Sequence, residues 1–288
     1  MRGKLRAMYF CLASGAAFGA MAIFGKLAYA EGATVGTLLA VRFLFASGLF
    51  WAGNATGVAR RGLTPLTSRD VLLALGLGAG GYALQAGLYF AALPRIDAGV
   101  LSLLVFTFPV LVAGAAVLLG REVLTRRRVV ALVASSAGLV LVVGGAGALD
   151  PLGVALGLGA AVVYSGYILV SESVAKRMSP LTLAALVCTG AAAALTVGTV
   201  ALGQFQPGEL TIAGWWWLLC LAGVSTVAAI ALFFAGLARV GPTRSSILAT
   251  VEPLVTVVLA FAIFGETIGL AGVLGGMLVV TAVLLAQT

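Results

Sequence analysis

The sequence contains no histidine, few charged residues and only three cysteines. The absence of histidine excludes a Ser-His triad, a His-ligated zinc site and the usual base for proton transfer at neutral pH. Cys11, Cys188 and Cys220 stand far apart without a CxxC pair, so we expect them to be small packing residues. A GxSxG motif and a pair of mid-span aspartates are also absent. We therefore expect no catalytic residues, no metal, no cofactor and no enzymatic activity.

Apolar residues are abundant instead. Of the 288 residues, 62% are hydrophobic and 9% are charged, and the mean hydropathy is +1.17. Soluble domains do not have this composition, so we predict an integral membrane protein. Apolar runs of about 20 residues favour membrane-spanning helices, since the strands of a β-barrel would be short and alternating. The ten predicted spans are residues 7–29, 34–53, 70–93, 98–119, 128–146, 152–173, 181–203, 213–237, 242–264 and 268–286.

Basic residues are distributed unevenly among the predicted loops. With the N-terminus inside, the cytoplasmic segments hold every Lys and Arg except Arg95 in an outer loop and Lys26 and Arg42 within spans. Because Lys and Arg are retained on the cytoplasmic side, this asymmetry predicts that both termini are cytoplasmic. The net charge of +8 is therefore mainly a topology signal, and no basic soluble face exists to bind nucleic acid. Cleavage of the apolar N-terminal run as a signal peptide would spoil the asymmetry, so we expect an uncleaved first helix.

The two halves of the sequence resemble each other. Residues 91–122 align with residues 235–266, and this alignment matches Arg, Pro and Glu residues as well as apolar ones. Pro109 is paired with Pro253, which is informative because proline is uncommon in such apolar sequence. A nearby alignment places Phe18 of the first span opposite Tyr164 of the sixth. These matches predict an internal repeat.

Each half contains five spans, and this odd number has a topological consequence. Residues 1–146 and 147–288 are predicted to be two five-helix repeats within one transmembrane domain. An odd number of crossings inserts the second repeat upside down relative to the first. The predicted fold is therefore an all-α integral membrane protein, with ten transmembrane helices in two inverted five-helix repeats around a central cavity. Two such halves can rock against each other and so provide alternating access.

Four sequence features carry a resemblance to a known family: RF at residues 42–43, the spacing from Pro109 to Glu122, LARVGPTRSSILATVEPLVTVVLA at residues 237–260, and FGE at residues 264–266. With these features the chain resembles the EamA-type carriers of the drug/metabolite transporter superfamily. In general pattern it is also similar to the aromatic amino acid exporters of that superfamily. The resemblance implies export of small metabolites such as amino acids across a bacterial inner membrane, by a monomer whose partners are its substrate and the lipid bilayer. Export of drugs or other organic compounds, and a channel-like pathway, remain open alternatives.

Tyrosines away from the span ends predict a substrate site. Tyr82, Gln85 and Tyr89 share one face of the third span, and Tyr164 and Tyr167 share a face of the sixth. A hydroxyl in hydrocarbon needs a hydrogen-bond partner, so both faces are expected to point inward. They either line the cavity and contact substrate or form interhelical hydrogen bonds.

The fourth and ninth spans contain the paired prolines. Proline frees a backbone carbonyl one turn earlier and bends the helix, so Pro109 and Pro253 are predicted to be gating elements, with a simple kink as the alternative. Ser246, in the ninth span, is a candidate substrate contact, although small hydroxyl residues also serve close helix packing.

Three ionisable residues lie within predicted spans: Lys26, Arg42 and Glu252. A charge at that depth costs at least about 2.5 kcal/mol and should face inward. Glu252 has two possible roles. It is either a structural partner of Arg42 or Lys26, or a cavity carboxylate that binds a substrate ammonium group or exchanges a proton.

Overall fold

The computed structural model describes residues 2–55, 66–120, 126–145, 149–175, 178–240, 248 and 251–287. The described residues are helical, with connecting turns and no strand. We number the α-helices in chain order. In the first half these are α1 (Arg2–Gly19), α2 (Met21–Ala30), α3 (Val35–Ala55), α4 (Ser68–Gly76), α5 (Ala83–Ala92), α6 (Ala98–Val105), α7 (Phe108–Leu118) and α8 (Arg126–Gly145). In the second half they are α9 (Pro151–Ala175), α10 (Pro180–Ala201), α11 (Ile212–Ala222), α12 (Ala229–Val240), α13 (Val251–Phe264) and α14 (Leu270–Gln287).

These helices form ten segments, which confirms the predicted all-helical architecture. Four pairs are nearly continuous and count as one segment each: α1 with α2, α4 with α5, α6 with α7, and α11 with α12. Six segments are long and apolar enough to cross a membrane, and the other four contain shorter apolar helices. The segments begin and end close to the predicted spans. The beginning of the predicted ninth span lies outside the described residues, apart from residue 248.

Side-chain caps explain where several segments begin. The hydroxyl groups of Thr67, Ser179 and Thr211 each accept a hydrogen bond from the backbone N–H three residues later, at 3.2, 3.1 and 3.0 Å. Asp70 completes a capping box with Thr67. Each cap satisfies an N–H group that would otherwise have no partner at a helix end. Helices α4, α10 and α11 therefore start directly after these residues.

Two π-helical turns interrupt equivalent segments of the two halves. One turn, Leu77–Tyr82, joins α4 to α5, and the other, Gly223–Ala228, joins α11 to α12. The alignment that pairs Phe18 with Tyr164 also pairs the first residues of the two turns. A π-turn contains an extra residue, so it shifts the face that the next helix presents by about one position.

The fourth segment is broken where the sequence analysis places a bend. Helix α6 ends at Val105, and α7 begins at Phe108 with Pro109 in its first turn. Proline has no N–H group to donate to the carbonyl of Val105, and the Thr107 hydroxyl donates to the Leu104 carbonyl at 2.7 Å. The backbone therefore leaves the helical path at Phe106 and Thr107.

Equivalent helices have equivalent neighbours in the two halves. Helix α1 packs against α12, and its counterpart α9 packs against α5. Helix α3 packs against its own counterpart α10, and α8 packs against α14. These contacts connect the two halves along their length.

The α4–α10 crossing depends on two glycines. A Cβ atom on Gly78 would lie 2.0 Å from the Val187 carbonyl oxygen, and one on Gly190 would lie 2.1 Å from the Leu75 carbonyl oxygen. Both obstacles are backbone atoms, which cannot rotate away as a side chain can. The two helices therefore approach as closely as small residues permit.

We expect Gly190→Ala to lower the thermal unfolding temperature of the purified protein in detergent, because the added methyl group forces the two backbones apart. Overpacking of this kind costs about 1 to 3 kcal/mol. Gly76→Ala in α4 is the matched control, since nothing lies within 4 Å of its Cβ position. Equal unfolding temperatures for the two variants, measured by intrinsic tryptophan fluorescence, would contradict this account of the crossing.

Candidate functional site

A cavity of about 100 Å³ lies between helices from both halves. Arg42, Glu252 and several aromatic side chains line it together with small polar groups. The complete lining is Phe18, Met21, Arg42, Tyr82, Gln85, Ala86, Tyr89, Phe90, Ser102, Val105, Phe106, Phe108, Tyr164, Glu252, Pro253 and Thr256.

Most of the predicted site residues meet at this cavity. The third-segment residues Tyr82, Gln85 and Tyr89 line it, and Tyr164 lines it from α9. Gln85 and Tyr89 are buried, at 9% and 5% exposure. The cavity is smaller than the roughly 300 to 1,000 Å³ typical of pockets for drug-sized ligands. In this conformation it has room for a small polar molecule or for a few waters.

Tyr167 is not in the lining but supports it. Its ring stacks on Tyr82 with 5.6 Å between ring centroids and on Tyr164 with 6.1 Å. Phe108 contacts Tyr164 edge to face at 4.6 Å, and Phe43 contacts Tyr82 in the same way at 5.3 Å. Such pairs contribute stability beyond the apolar area they bury, so they help to orient two of the three lining tyrosines, Tyr82 and Tyr164.

The remaining predicted residues differ in how much the structure describes. Pro253 is buried and lines the cavity. Pro109 lies at the start of α7, but its side chain is outside the described part of the chain, as is the whole of Ser246. Ser102, which the repeat alignment pairs with Ser246, does line the cavity.

Close packing on α1 positions Glu252. The Thr256 hydroxyl donates to the Gly19 carbonyl at 2.9 Å, and a Cβ atom on Gly19 would lie 2.7 Å from the Glu252 carbonyl oxygen. Gly15 is equally close to Val251. The GxxxG pair of the first segment therefore lets α13 approach, so that the Glu252 side chain borders the cavity.

The structure pairs Lys26 differently from the sequence prediction. Lys26 forms an ion pair with Glu266, not with Glu252. Helix α13 ends at Phe264, and the positive φ of Gly265 (+67°) turns the chain so that Glu266 faces the end of α2. The Lys26–Glu252 pair, one of the alternatives that the sequence left open for Glu252, is therefore not formed. Glu266 lies just beyond the end of the predicted ninth span, so it is not among the charges within spans from which a partner for Lys26 is predicted.

Glu252 is also not paired with Arg42. Across the described ranges, no basic nitrogen lies within 4.0 Å of the Glu252 carboxylate. Arg42 lines the same cavity and is 2% exposed, and its Nε donates to the Thr226 hydroxyl at 2.9 Å. Glu252 and Arg42 thus border one cavity without forming an ion pair with each other.

The cluster around Lys26 connects the two halves. Besides its ion pair with Lys26, Glu266 accepts a hydrogen bond from the Gly99 N–H at 3.4 Å, and the Lys26 ammonium lies 5.6 Å from the centre of the Phe264 ring. Asp97, just before α6, is nearby. Burial and the Glu266 carboxylate raise the pKa of Asp97, whereas Lys26 lowers it. Helices α2, α6 and α13 are therefore held together at one end.

Several lining residues were missed by sequence reasoning. Phe18 and Phe108 are repeat partners of the predicted Tyr164 and Glu252, so the repeat alignment carried a usable signal for them. The sequence identifies Arg42 as a charge within a span and predicts only a structural role for it. Thr226 contacts Arg42 but does not line the cavity, and the sequence gives no signal for it, because hydroxyl residues are common in membrane helices and this contact depends on a π-turn.

Comparison with known proteins identifies the family. The sequence model of the EamA-like transporter family matches residues 5–144 and, a second time, residues 151–288. The chain belongs to this family. It is therefore a multi-pass membrane transporter of the EamA type and not an enzyme, as the sequence features predict.

Relatives of this EamA-type transporter cover most of its length. An uncharacterized transporter of Bacillus subtilis (strain 168), YcbK, is 27% identical over 276 residues, which are 92% of this chain and 88% of the relative. An uncharacterized transporter of Archaeoglobus fulgidus is 28% identical over 198 residues, or 69% of this chain and 70% of the relative. A crystal structure with 17% identity shares the fold, with a TM-score of 0.69 over 98% of this chain and 96% of that one.

The ion pair predicts that Glu266, just after the ninth segment, and Glu252, within it, contribute differently to stability. We expect Glu266→Gln to destabilise the transporter by about 1 to 3 kcal/mol, because it leaves the half-buried Lys26 without its charged partner. Glu252→Gln should change stability much less, since no described basic group depends on that carboxylate. Thermal unfolding in detergent compares the two, and the double variant Lys26→Met with Glu266→Gln should recover part of the loss. A larger loss for Glu252→Gln than for Glu266→Gln would contradict this assignment.

Proposed function

We propose that this EamA-type transporter exports amino acids, aromatic or other neutral ones, across a bacterial inner membrane by alternating access. One observation carries the proposal: Glu252 and Arg42 border a single cavity without an ion pair between them in the described chain. Isolated charges in a membrane protein are costly, and they are typical of substrate pathways. A substrate with its own charges supplies the missing partner.

Chemically, the cavity suits a small amphipathic molecule. The Glu252 carboxylate is an acceptor for a substrate ammonium group, and the Gln85 amide and the tyrosine hydroxyls are further hydrogen-bonding groups. The rings of Tyr82, Tyr89 and Tyr164 offer apolar faces to a side chain. A neutral amino acid combines these properties in one small molecule. Drugs and other organic compounds are the alternative substrates.

Backbone features at the cavity support alternating access. The fourth segment is broken next to it, the ninth carries Pro253 beside it, and the third and eighth contain the π-turns. In our proposal the two halves are inverted repeats, both termini are cytoplasmic, and a single chain is sufficient. The halves rock against each other around Pro109 and Pro253, so that the cavity opens to one side at a time.

The test is reconstitution into proteoliposomes, with a screen of amino acids, nucleosides and cationic drugs for flux with and without a pH gradient. We expect saturable amino acid transport, with counterflow of labelled substrate when unlabelled substrate is inside. We also expect Glu252→Gln to reduce flux at least tenfold while the variant remains folded, whereas Glu209→Gln in a surface turn has no effect. Flux without saturation or counterflow indicates a channel, and transport limited to drugs or nucleosides rules out the proposed substrate.

The proline prediction concerns rate rather than binding. Restoring the missing backbone hydrogen bond in Pro109→Ala or Pro253→Ala should straighten and stiffen the helix, and we expect each change to slow turnover severalfold with little change in substrate affinity. Turnover and affinity are measured by counterflow and by binding to the purified protein. Normal rates in both variants would end the gating interpretation.

A further inference from the structure

Arg42 is an unusual residue for the interior of a membrane helix. It is 2% exposed, and its guanidinium carbon lies 5.0 Å from the centre of the Phe43 ring and 5.3 Å from that of Phe90. The aromatic rings stabilise the positive charge, but they do not accept conventional hydrogen bonds from its N–H groups. A guanidinium group carries five N–H donors, and within the described chain only the one on Nε has an acceptor.

The acceptor for Nε is supplied by a π-helical turn. Thr226 lies in the turn Gly223–Ala228, and its hydroxyl donates its single proton to the Leu221 carbonyl at 3.0 Å. Because that proton is used, the Thr226 oxygen is left as an acceptor, and it receives the Nε–H of Arg42 at 2.9 Å. The bond at Nε and the two rings close to the guanidinium carbon restrict the orientation of the group, and its two Nη groups, which have no described acceptor, are left for the cavity that Arg42 lines.

We propose that Arg42 binds the carboxylate group of the substrate through its Nη groups, and that Thr226 is the residue that positions it. This inference rests on the proposed function and deepens it. The substrate is bound as a zwitterion, with its carboxylate on Arg42, its ammonium on Glu252 and its side chain against the tyrosines. Amines and esters, which lack the carboxylate, are discriminated against because the buried guanidinium would remain unpaired.

The assignment follows from what the guanidinium needs. A fork of parallel N–H groups matches the two oxygens of a carboxylate, and such paired bonds are among the strongest that a protein forms. Arg42 has no acidic partner within 4.0 Å among the described residues, so nothing there competes for those donors. Arg42 is the one basic residue among the described residues that line the cavity, so these residues offer one carboxylate site.

The test measures binding of three small probes to the purified transporter: L-phenylalanine, phenethylamine, which lacks the carboxylate, and 3-phenylpropionate, which lacks the ammonium group. We expect L-phenylalanine to bind at least tenfold more tightly than phenethylamine. Thr226→Val should lower the affinities for L-phenylalanine and 3-phenylpropionate by roughly tenfold, because it removes the hydroxyl that positions Arg42. The affinity for phenethylamine, which has no carboxylate, should stay the same. Thr226→Ser should restore both affinities.

Ser225→Ala is the matched control in the same turn. The Ser225 hydroxyl is buried and has no hydrogen-bond partner in the described chain, so its loss should not change the binding of any probe. Thermal unfolding of each variant shows that it is folded. Equal weakening of all three probes by Thr226→Val, or equal affinity of the wild type for L-phenylalanine and phenethylamine, would overturn the assignment.

The same measurements separate this inference from the proposed function. If amino acids are neither bound nor transported but 3-phenylpropionate binds in a Thr226-dependent way, the carboxylate site is supported and amino acid export is refuted. If amino acids are transported but Thr226→Val does not change the preference for carboxylates, export is supported and the role of Arg42 is refuted. If none of the three probes binds and no amino acid is transported, both are refuted.

Discussion

Hydrocarbon offers no hydrogen bonds to a peptide group, and this constraint determines where the backbone of this transporter departs from the α-helix. Non-helical backbone at membrane depth is tolerated only where protein or a cavity satisfies it. The break between α1 and α2 lies between Phe18 and Met21, and the break between α6 and α7 lies at Phe106, all three of which line the cavity. The first π-turn ends at Tyr82, another lining residue. These three irregularities of the first half therefore lie beside the cavity.

Charged groups obey the same constraint in two different ways. Lys26 and Glu266 neutralise each other directly at one end of the bundle, which gives a structural contact between the halves. Arg42 instead has two aromatic rings and a neutral hydroxyl around it, and Glu252 has no described basic partner. Two charges that neutralise each other within the protein have little capacity left to bind a charged ligand. A charge stabilised by rings and a hydroxyl keeps its capacity to bind an ion of the opposite sign.

The sequence predicted the segments and much of the cavity because both depend on strong local signals. An apolar run of about 20 residues has one stable arrangement in a bilayer, and a tyrosine in such a run stands out from its neighbours. The contact between Arg42 and Thr226 had no such signal. A π-turn shifts the helical register by about one residue, and a period of 3.6 residues then assigns the wrong face to the residues after the turn. The Lys26–Glu266 pair depends on a turn at Gly265 that hydropathy alone does not locate.

The two halves share their π-turns but not their chemistry. The π-turns occupy equivalent positions, yet the alignment that relates them places Gly80 opposite Thr226 and Ala228 opposite Tyr82. Likewise, Phe108 lines the cavity where the repeat partner is Glu252. Bending depends on backbone hydrogen bonds, so it can be the same in both halves whatever the side chains are. Recognition depends on side chains, and one acid, one base and a group of aromatic rings make the cavity polar at distinct points. The cavity is therefore asymmetric, although the two halves have π-turns at equivalent positions.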